Sequence, residues 1–381
     1  GRLHPGRRAR SGDAMSTPAP HALASDAALM NSIIKRIATG PELSKNISRE
    51  EARAGMRMVL EGSVDPVQAA VFLIALRMKR ETDDENRGLL EAIRDATLRA
   101  TAPVDEVLDI GDPYDGYRRS LPASPFLPAV LAACGVAAVS HGVTSMGPKY
   151  GVTHRQVLAA AGLPVELDPE EAAARLGGRA IGWAYVDQKA FCPRLHALSA
   201  LRTLIVKRPA ITTVEVLAGP VCGRVKTHLL TGFVHKPYPR IYALLARHAG
   251  FDSALIVRGV EGGVIPSLSQ TGKVFHYHAG GEETSTEFKP ADLGFDHAVR
   301  APQLAGANAG DDEAFDAAAV AQSAAAAGIA ALEGQAGPTR DCLVYGAALC
   351  LWHLGRERSL GDAADAARRA LDSGEARRRL R

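Results

Sequence analysis

The chain has 381 residues, 46% of them hydrophobic and 23% charged, which predicts a globular protein with a large core and two domains. No run approaches the roughly 18 apolar residues that span a bilayer, so we expect no membrane partner. The five cysteines lack the close pairs of zinc and redox motifs, and we therefore expect a cytoplasmic protein.

The formal net charge of +3 is matched by the first 14 residues, which contain four arginines and one aspartate. The remainder is neutral on balance, so only local clusters of cations can argue for nucleic acid. Residues 1–22 are polar, and we interpret them as a disordered tail or a cloning remnant, with Met15 as the natural start. Whether residues 1–14 belong to the native protein stays open.

Residues 23–103 are predicted to form a helical domain. Hydroxyl residues followed three positions later by an acid, Ser48 with Glu51 and Thr82 with Glu85, are capping boxes that start two of its helices. Short amphipathic helices with brief connections pack as a bundle. We expect a further helical contribution from about residues 189–208.

Residues 104–381 are predicted to form an α/β domain, in which helices flank a central mixed or parallel sheet. The sequence predicts a helix over residues 193–207 and an alanine-rich helix over residues 316–332. Strands are predicted at residues 107–110, 136–139, 181–186, 214–217, 254–258 and 275–278.

The stretch from Asp109 to Thr153 contains two successive strand-loop-helix units. Ser124-Pro125 is interpreted as a helix start, and the second strand leads into His141-Gly142. Ligands of open α/β sheets bind beyond the carboxyl ends of strands, where helix N-termini offer free amides. The two loops therefore predict a site for a phosphate-bearing ligand.

The candidate ligand residues on these loops combine glycines, cations and hydroxyl or acidic groups. His141 is also a weak candidate for a general acid or base, with a structural hydrogen bond as the alternative. N-capping alone accounts for Ser124, and a turn alone accounts for Asp115. The set is Gly111, Asp115, Arg118, Arg119, Ser124, His141, Gly142 and Lys149.

A second set of cations predicts contacts to nucleic acid if these residues converge on the same cleft. Each cation taken alone favours a solvated surface charge over a binding role, and only their joint placement on loops near one cleft makes the two interpretations comparable. Those near residues 223–240 alternate with tyrosines that could stack on bases, although the same composition suits a domain contact. The set is Arg155, Lys189, Arg194, Lys207, Arg208, Arg224 and Lys226.

His276 and His278 point to the same side of a predicted strand. This spacing can chelate a metal ion, but the sequence offers no third ligand nearby. We therefore interpret the pair as part of a solvated sheet face and predict no metal site.

Five stretches carry a family resemblance: Gly62, Leu73–Lys79, His141-Gly142, Ala218-Gly219-Pro220 and Leu371–Gly374. They resemble the anthranilate phosphoribosyltransferase family, which shares the fold of class II nucleoside phosphorylases. The resemblance implies a small helical domain, a larger α/β domain and a homodimer formed through the helical domains. It also implies a phosphoribosyl donor as ligand, with Mg²⁺ only if transferase activity is retained.

The chain departs from that family at its pyrophosphate and magnesium motifs. Gly111-Asp112-Pro113-Tyr114-Asp115 stands where the family has Gly-Thr-Gly-Gly-Asp, and proline has no N–H to donate. Val264-Ile265 stands where the family has an Asp-Glu pair, and aliphatic side chains do not bind Mg²⁺. These departures resemble a paralogous subgroup that binds nucleic acid.

Three functions remain open from the sequence. The first is a glycosyltransferase of this family with a remodelled phosphoribosyl site, for which catalysis in the tryptophan pathway is doubtful. The second is a non-catalytic protein that binds DNA or RNA without regard to sequence. The third is a dimer that senses a phosphorylated metabolite.

Overall fold

The computed structural model describes residues 20–304 and 315–381. The proposed N-terminal tail falls mostly on residues 1–19, outside the described residues, and the first helix already begins at Pro20. In the described ranges no helix is long and apolar enough to cross a bilayer.

Helices make up both the first part of the chain and the outer layers of the rest. They are α1 (Pro20–Ile37), α2 (Arg49–Glu61), α3 (Pro66–Lys79), α4 (Asp83–Asp95), α5 (Leu127–Ala133), α6 (His154–Ala160), α7 (Pro169–Gly177), α8 (Gln188–Phe191), α9 (Pro193–His196), α10 (Ser199–Ile205), α11 (Ile211–Val214), α12 (Tyr238–Ala249), α13 (Ala317–Leu332), α14 (Pro338–His353), α15 (Leu360–Asp372) and α16 (Glu375–Arg378).

The strands form a large sheet and a small one. They are β1 (Ala100–Thr101), β2 (Glu106–Gly111), β3 (Ala138–Gly142), β4 (Trp183–Asp187), β5 (Val221–Cys222), β6 (Lys226–Gly232), β7 (Ser253–Val257), β8 (Gly272–His278) and β9 (Thr284–Phe288). The large sheet has the order β4-β3-β2-β6-β7-β8-β9, and β1 pairs with β5 in the small one. The five strands β4, β3, β2, β6 and β7 are mutually parallel, whereas β8 pairs antiparallel with both β7 and β9, so the predicted mixed sheet is confirmed.

The helical region begins as predicted, with both capping boxes formed. The Ser48 and Thr82 side chains each accept from the backbone N–H of the acid three residues later. α2 and α4 pack closely at Gly88, where a Cβ atom would lie 2.2 Å from the Arg49 carbonyl oxygen. The buried core of this bundle includes Met30, Ile33, Ile37, Met56 and Phe72.

Alternate residues of the central strands enter two separate cores. On β6, Leu229 faces the core shared with the helical bundle, whereas Leu230 faces the core beneath α5, α13, α14 and α15. β7 repeats this alternation with Ile256 and Leu255. Both faces of the sheet are therefore covered, as in other mainly parallel sheets.

Two of the predictions made from the sequence for residues 193–217 are wrong. Residues 214–217 are not a strand but the end of α11 and a following 3-10 turn, because a short apolar run has no period that separates strand from helix. The helix predicted over residues 193–207 is divided into α9 and α10. Neighbouring parts of this segment bond to the helical bundle, where the Ala210 N–H donates to the Leu73 carbonyl.

Candidate functional site

A cleft of about 470 Å³ lies beyond the carboxyl ends of β2 and β6. Gly111 and Gly232, the last residues of these strands, line the sheet side, and Arg77 and Thr213 line the side of the helical bundle. Crevices at this end of parallel strands are where α/β proteins bind ligands. The cleft is therefore the candidate ligand site.

The Glu261 carboxylate at the cleft is held by four donors. The backbone N–H groups of Arg118 and Arg119 lie 2.9 and 3.1 Å from its two oxygens, and the Ser120 hydroxyl lies 2.8 Å away. The Lys149 ammonium lies 2.9 Å from Oε1. Burial opposes ionisation, but Lys149 and these hydrogen bonds outweigh it and hold the pKa of Glu261 below its ordinary value.

We call this donor set the anion site, because it holds the Glu261 carboxylate; Glu261 lines the cleft, whereas Arg118, Arg119, Ser120 and Lys149 do not. Consecutive backbone amides, a hydroxyl and an ammonium are the groups that bind phosphate oxygens as well as carboxylates. The sequence predicts Arg118, Arg119 and Lys149 as ligand residues, but the two arginines contribute backbone amides here. The Arg118 guanidinium instead lies 5.0 Å from the Phe315 ring centroid.

Glu261 was not predicted from the sequence, although a signal exists. It is the acid in a glycine-rich turn after β7, three residues before Val264. Its φ of 55° places it in the left-handed region, which residues other than glycine rarely adopt. Such backbone conformations concentrate at functional sites.

Asp115 and Arg208 form a second charged pair at the cleft. Asp115 accepts from Arg208 Nε at 3.1 Å and from Nη2 at 2.6 Å, and both residues line the cleft. Asp115 belongs to the ligand residues predicted from the sequence, and Arg208 belongs to the predicted nucleic-acid cations.

A buried ion pair between Arg202 and Glu215 forms part of the wall of the cleft. Arg202 Nη1 and Nη2 lie 2.7 and 2.8 Å from the two carboxylate oxygens of Glu215. Beside it, Arg77 donates to the Tyr238 hydroxyl at 2.7 Å and to Thr213 Oγ1 at 2.9 Å. The sequence marks Arg77, within the Leu73–Lys79 stretch of the family resemblance, and Tyr238, among the tyrosines of residues 223–240, but not the Arg202–Glu215 pair.

His141 is buried beneath the cleft rather than exposed in it. Its Nε2 donates to Asp109 Oδ1 at 2.7 Å, and the Tyr114 hydroxyl bonds to its Nδ1. Burial raises the pKa of Tyr114 well above its ordinary value, so this hydroxyl stays protonated. The geometry thus gives His141 a structural hydrogen bond between β2 and β3, and neither His141 nor Gly142 lines the cleft.

The Asp112 side chain points into the protein interior and does not line the cleft. It accepts from His154 Nε2 at 2.6 Å, from the Tyr117 hydroxyl at 2.7 Å and from Ser124 Oγ at 2.8 Å. Ser124 is therefore buried with its hydroxyl occupied, and the predicted N-cap is wrong, because Ala123 holds that position without a side-chain bond. Burial opposes ionisation of Asp112, but His154 and the hydroxyl donors lower its pKa.

Comparison with known proteins assigns the family. A model of the glycosyl transferase family helical bundle domain matches residues 31–97, and a model of the a/b domain of that family matches residues 119–377. This chain belongs to the glycosyl transferase family.

Individual members of the glycosyl transferase family resemble most of the chain. An anthranilate phosphoribosyltransferase of Rhodopseudomonas palustris is 31% identical over 350 residues, which are 92% of this chain and 96% of that protein. One of Methylocella silvestris is 30% identical over 349 residues, covering 91% and 92%.

Solved structures of anthranilate phosphoribosyltransferases share the fold. The enzyme of Thermus thermophilus superposes with a TM-score of 0.72 at 21% identity, covering 92% of this chain and 97% of that one. The enzyme of Saccharomyces cerevisiae in complex with PRPP and Mg has a TM-score of 0.69 at 16% identity, covering 93% and 96%. The expected fold is confirmed.

The carboxylates at the cleft of this glycosyl transferase family member do not suit a resident Mg²⁺. Asp115, Glu215 and Glu261 are each bound by an arginine or a lysine. Val264 and Ile265 are buried aliphatic residues. Mg²⁺ binds through carboxylate oxygens, water and substrate phosphates, and in this arrangement all three carboxylates that line the described cleft are already paired with cations, so they do not fit a resident Mg²⁺.

The predicted nucleic-acid cations do not converge on the cleft, although Arg155 and the Lys189 backbone meet at Asp187. Arg155 lies 3.1 Å from Asp187 and also contacts Glu166, and Arg224 lies 3.2 Å from Asp105. Lys226 begins β6, at the edge of the sheet opposite the cleft.

Most of the other members of that set lie outside the cleft. Arg194 borders a separate groove of the helical bundle, in which four arginines face four acids. Lys189 and Lys207 do not line the cleft, so Arg208 alone of the predicted cations does. In the segment over residues 223–240 the exposed cations are divided between the two ends of the central strand β6, with Arg224 and Lys226 at its start and Lys236 and Arg240 after its end.

Proposed function

We propose that this protein is a glycosyltransferase whose interdomain cleft takes a phosphoribosyl-type sugar phosphate. The observation that supports this most is the convergence of the Arg118 and Arg119 amides, the Ser120 hydroxyl and Lys149 on the Glu261 carboxylate. A phosphate group can use the same donors, so the site is remodelled around them instead of around a glycine-rich loop.

Glu261 competes with the ligand for this site. A phosphate that enters must displace the carboxylate, because both need the same amides and the same ammonium. The left-handed backbone of Glu261 is flanked by Gly259, Gly262 and Gly263, which permit the turn to adopt another conformation. The Glu261 carboxylate thus keeps the donors ordered until a phosphate group displaces it.

Positive charge for a phosphoryl-bearing leaving group comes from the protein. Lys149 is the cation of the anion site, and Arg208, paired with Asp115, lines the cleft that Glu261 also lines. Preorganised amides and cations stabilise charge that develops on a departing oxygen. No step of the proposed reaction passes through Mg²⁺.

Calorimetry with phosphoribosyl pyrophosphate and with pyrophosphate, both in EDTA, tests the ligand. We expect saturable binding that is weakened in Lys149→Met and unchanged in Lys226→Met, whose side chain lies at the opposite sheet edge. Release of pyrophosphate on addition of aromatic amines then tests transfer. Absence of binding to the wild-type protein would contradict the proposal.

The same experiment separates this function from nucleic-acid binding. Arbitrary oligonucleotides bound through many phosphates lose affinity steeply with salt. Three of the seven predicted cations, Arg155, Arg208 and Arg224, are paired with acids, and Arg208 alone of the seven lines the cleft, which supports the small ligand instead. Steep salt-dependent oligonucleotide binding without any response to phosphoribosyl pyrophosphate would favour the nucleic-acid alternative.

We also propose a cytoplasmic homodimer formed through the helical bundles. All five cysteines are unpaired, as suits a reducing compartment. On α3, Val67, Val71, Ile74 and Met78 form one apolar stripe, and the side chains at its ends are 70% and 72% exposed. An apolar stripe of this kind is suited to burial against a second copy.

A further inference from the structure

Three histidines lie close together at the end of the sheet away from the cleft, where β7 begins and β8 ends. His276 and His278 lie on the same side of β8, and His353 ends α14. One ring nitrogen of each lies within 4.8 Å of one from each of the others. The rings of His278 and His353 stack at 4.4 Å, and the ring of His276 lies 5.7 Å from that of His278.

Each imidazole uses its Nε2 for a bond outside the set of three rings. His276 Nε2 lies 3.0 Å from Thr286 Oγ1, His278 Nε2 donates to the His353 backbone carbonyl at 2.8 Å, and His353 Nε2 lies 2.9 Å from Ser253 Oγ. The Nδ1 atoms of His276 and His353 are buried and have no hydrogen-bond partner. This is the arrangement of metal-binding histidines, in which the second nitrogen is fixed by a hydroxyl or a carbonyl.

We propose that His276, His278 and His353 bind one divalent transition-metal ion, in the first place Zn²⁺. Three imidazole nitrogens with a fourth position open to water are an established zinc coordination set. The absence of carboxylate oxygens from the three disfavours Mg²⁺ and Ca²⁺, and the absence of thiolates disfavours Cu(I).

Small side-chain movements complete the site. Zinc holds nitrogens at about 2.0–2.1 Å, so the three ligand atoms must approach one another to about 3.4 Å. His278 is exposed and can make that movement, whereas His353 is 3% exposed and fixed by Ser253. Burial and the neighbouring histidines lower the pKa of His353, which keeps this ligand neutral.

The metal ion would link the antiparallel edge of the sheet to the end of α14. His276 also packs edge-on against Trp352 at 5.2 Å, so one side of the site is apolar. The interpretation of both histidines as a solvated sheet face is wrong for His276, whose Nδ1 is buried and whose ring packs against Trp352, whereas His278 is exposed. The third ligand comes from His353, 75 residues beyond His278, a separation that sequence spacing does not reveal.

Titration of the untagged, metal-stripped full-length protein with Zn²⁺ tests the proposal. We expect one equivalent to bind, and Co²⁺ to develop the visible absorption of a tetrahedral, nitrogen-coordinated ion. His278→Ala, at an exposed position, should weaken binding about 100-fold and abolish the rise in melting temperature that Zn²⁺ causes.

His297→Ala is the matched control, because His297 pairs with Asp341 outside the cluster. It should leave Zn²⁺ affinity unchanged. The proposal is overturned by a wild-type protein that shows no saturable Zn²⁺ binding, or by a His278→Ala protein that binds as tightly as the wild type. His353→Gln, read by the Co²⁺ spectrum in the folded protein, provides a second test from the helix side.

Discussion

The Lys149 ammonium lies 2.9 Å from Glu261 Oε1, at the point where the backbone amides of Arg118 and Arg119 reach the same carboxylate. A negatively charged side chain therefore occupies a donor set that also suits a phosphate group. Removing the charge of either partner must change anion affinity in opposite directions. Opposite changes in the two variants would therefore show that Glu261 and the anion use the same donors.

Glu261→Gln is expected to raise the affinity for pyrophosphate on the order of tenfold. The amide is nearly isosteric with the carboxylate but carries no charge, so it competes less well for Lys149 and the backbone amides. Isothermal calorimetry in EDTA measures the change. Unaltered or weaker binding would show that Glu261 does not compete for the site.

Lys149→Met is expected to lower the same affinity tenfold or more. A charge-assisted hydrogen bond contributes about 1.5–3 kcal/mol, and about 1.4 kcal/mol corresponds to a factor of ten. Lys226→Met serves as the control, since it removes an exposed lysine at the far edge of the sheet. Equal losses in the two variants would indicate a general effect of net charge.

The stability of the protein should fall in acid partly through Glu261. Its pKa lies below the ordinary value of 4.5, so the folded state binds fewer protons than the unfolded state near that pH. The contribution is complete above about pH 4.5 and is lost as the pH falls through the lower folded value. Urea unfolding of wild type and Glu261→Gln at stepped pH values should show a shallower decline for the variant.

Local chemistry explains which parts of the fold can be predicted from the sequence. The capping boxes at Ser48 and Thr82 need only residues three positions apart, so their helices are predictable. β6 is not, because Lys226, Thr227 and His228 begin it with polar residues although its last five residues are buried. Its place at the centre of the sheet depends on pairing with β2 and β7.

The site was less predictable because its contacts join distant segments. Glu261 accepts from the Arg118 backbone N–H, 143 residues away in the chain. Asp112 points into the interior, where it accepts a hydrogen bond from His154, 42 residues away. Gly111, Asp115 and Arg208, which the sequence offers as candidates, line the cleft, and their roles stay predictions. It does not reveal that Arg118 and Arg119 act through their backbone amides.

Tyr114→Phe is expected to destabilise the protein by about 1–3 kcal/mol without changing pyrophosphate affinity. The substitution removes the hydroxyl bound to His141 Nδ1 and leaves a buried nitrogen without a partner. Urea unfolding measures the loss of stability. A stable variant with altered ligand affinity would instead assign the Tyr114–His141 bond to the ligand site.

Arg202→Met is expected to cost about 3–5 kcal/mol of folding free energy. It strands the Glu215 carboxylate, which is 1% exposed, without its bidentate partner. The double variant Arg202→Met with Glu215→Leu should recover much of this loss, because a buried pair replaced by apolar side chains leaves no uncompensated charge. Denaturant unfolding of the four proteins forms a double-mutant cycle.

Met78→Glu is expected to convert the proposed homodimer into a monomer. The Met78 side chain is 72% exposed at one end of the α3 stripe, and a carboxylate in an apolar interface would have to be desolvated without a partner. Light scattering coupled to size-exclusion chromatography measures the mass. Val225→Glu introduces the same charge at an exposed apolar position near the start of β6 and should leave the mass unchanged. A wild-type protein that elutes as a monomer at all concentrations would exclude the helical-bundle dimer directly, and a dimer that survives Met78→Glu would place the interface elsewhere.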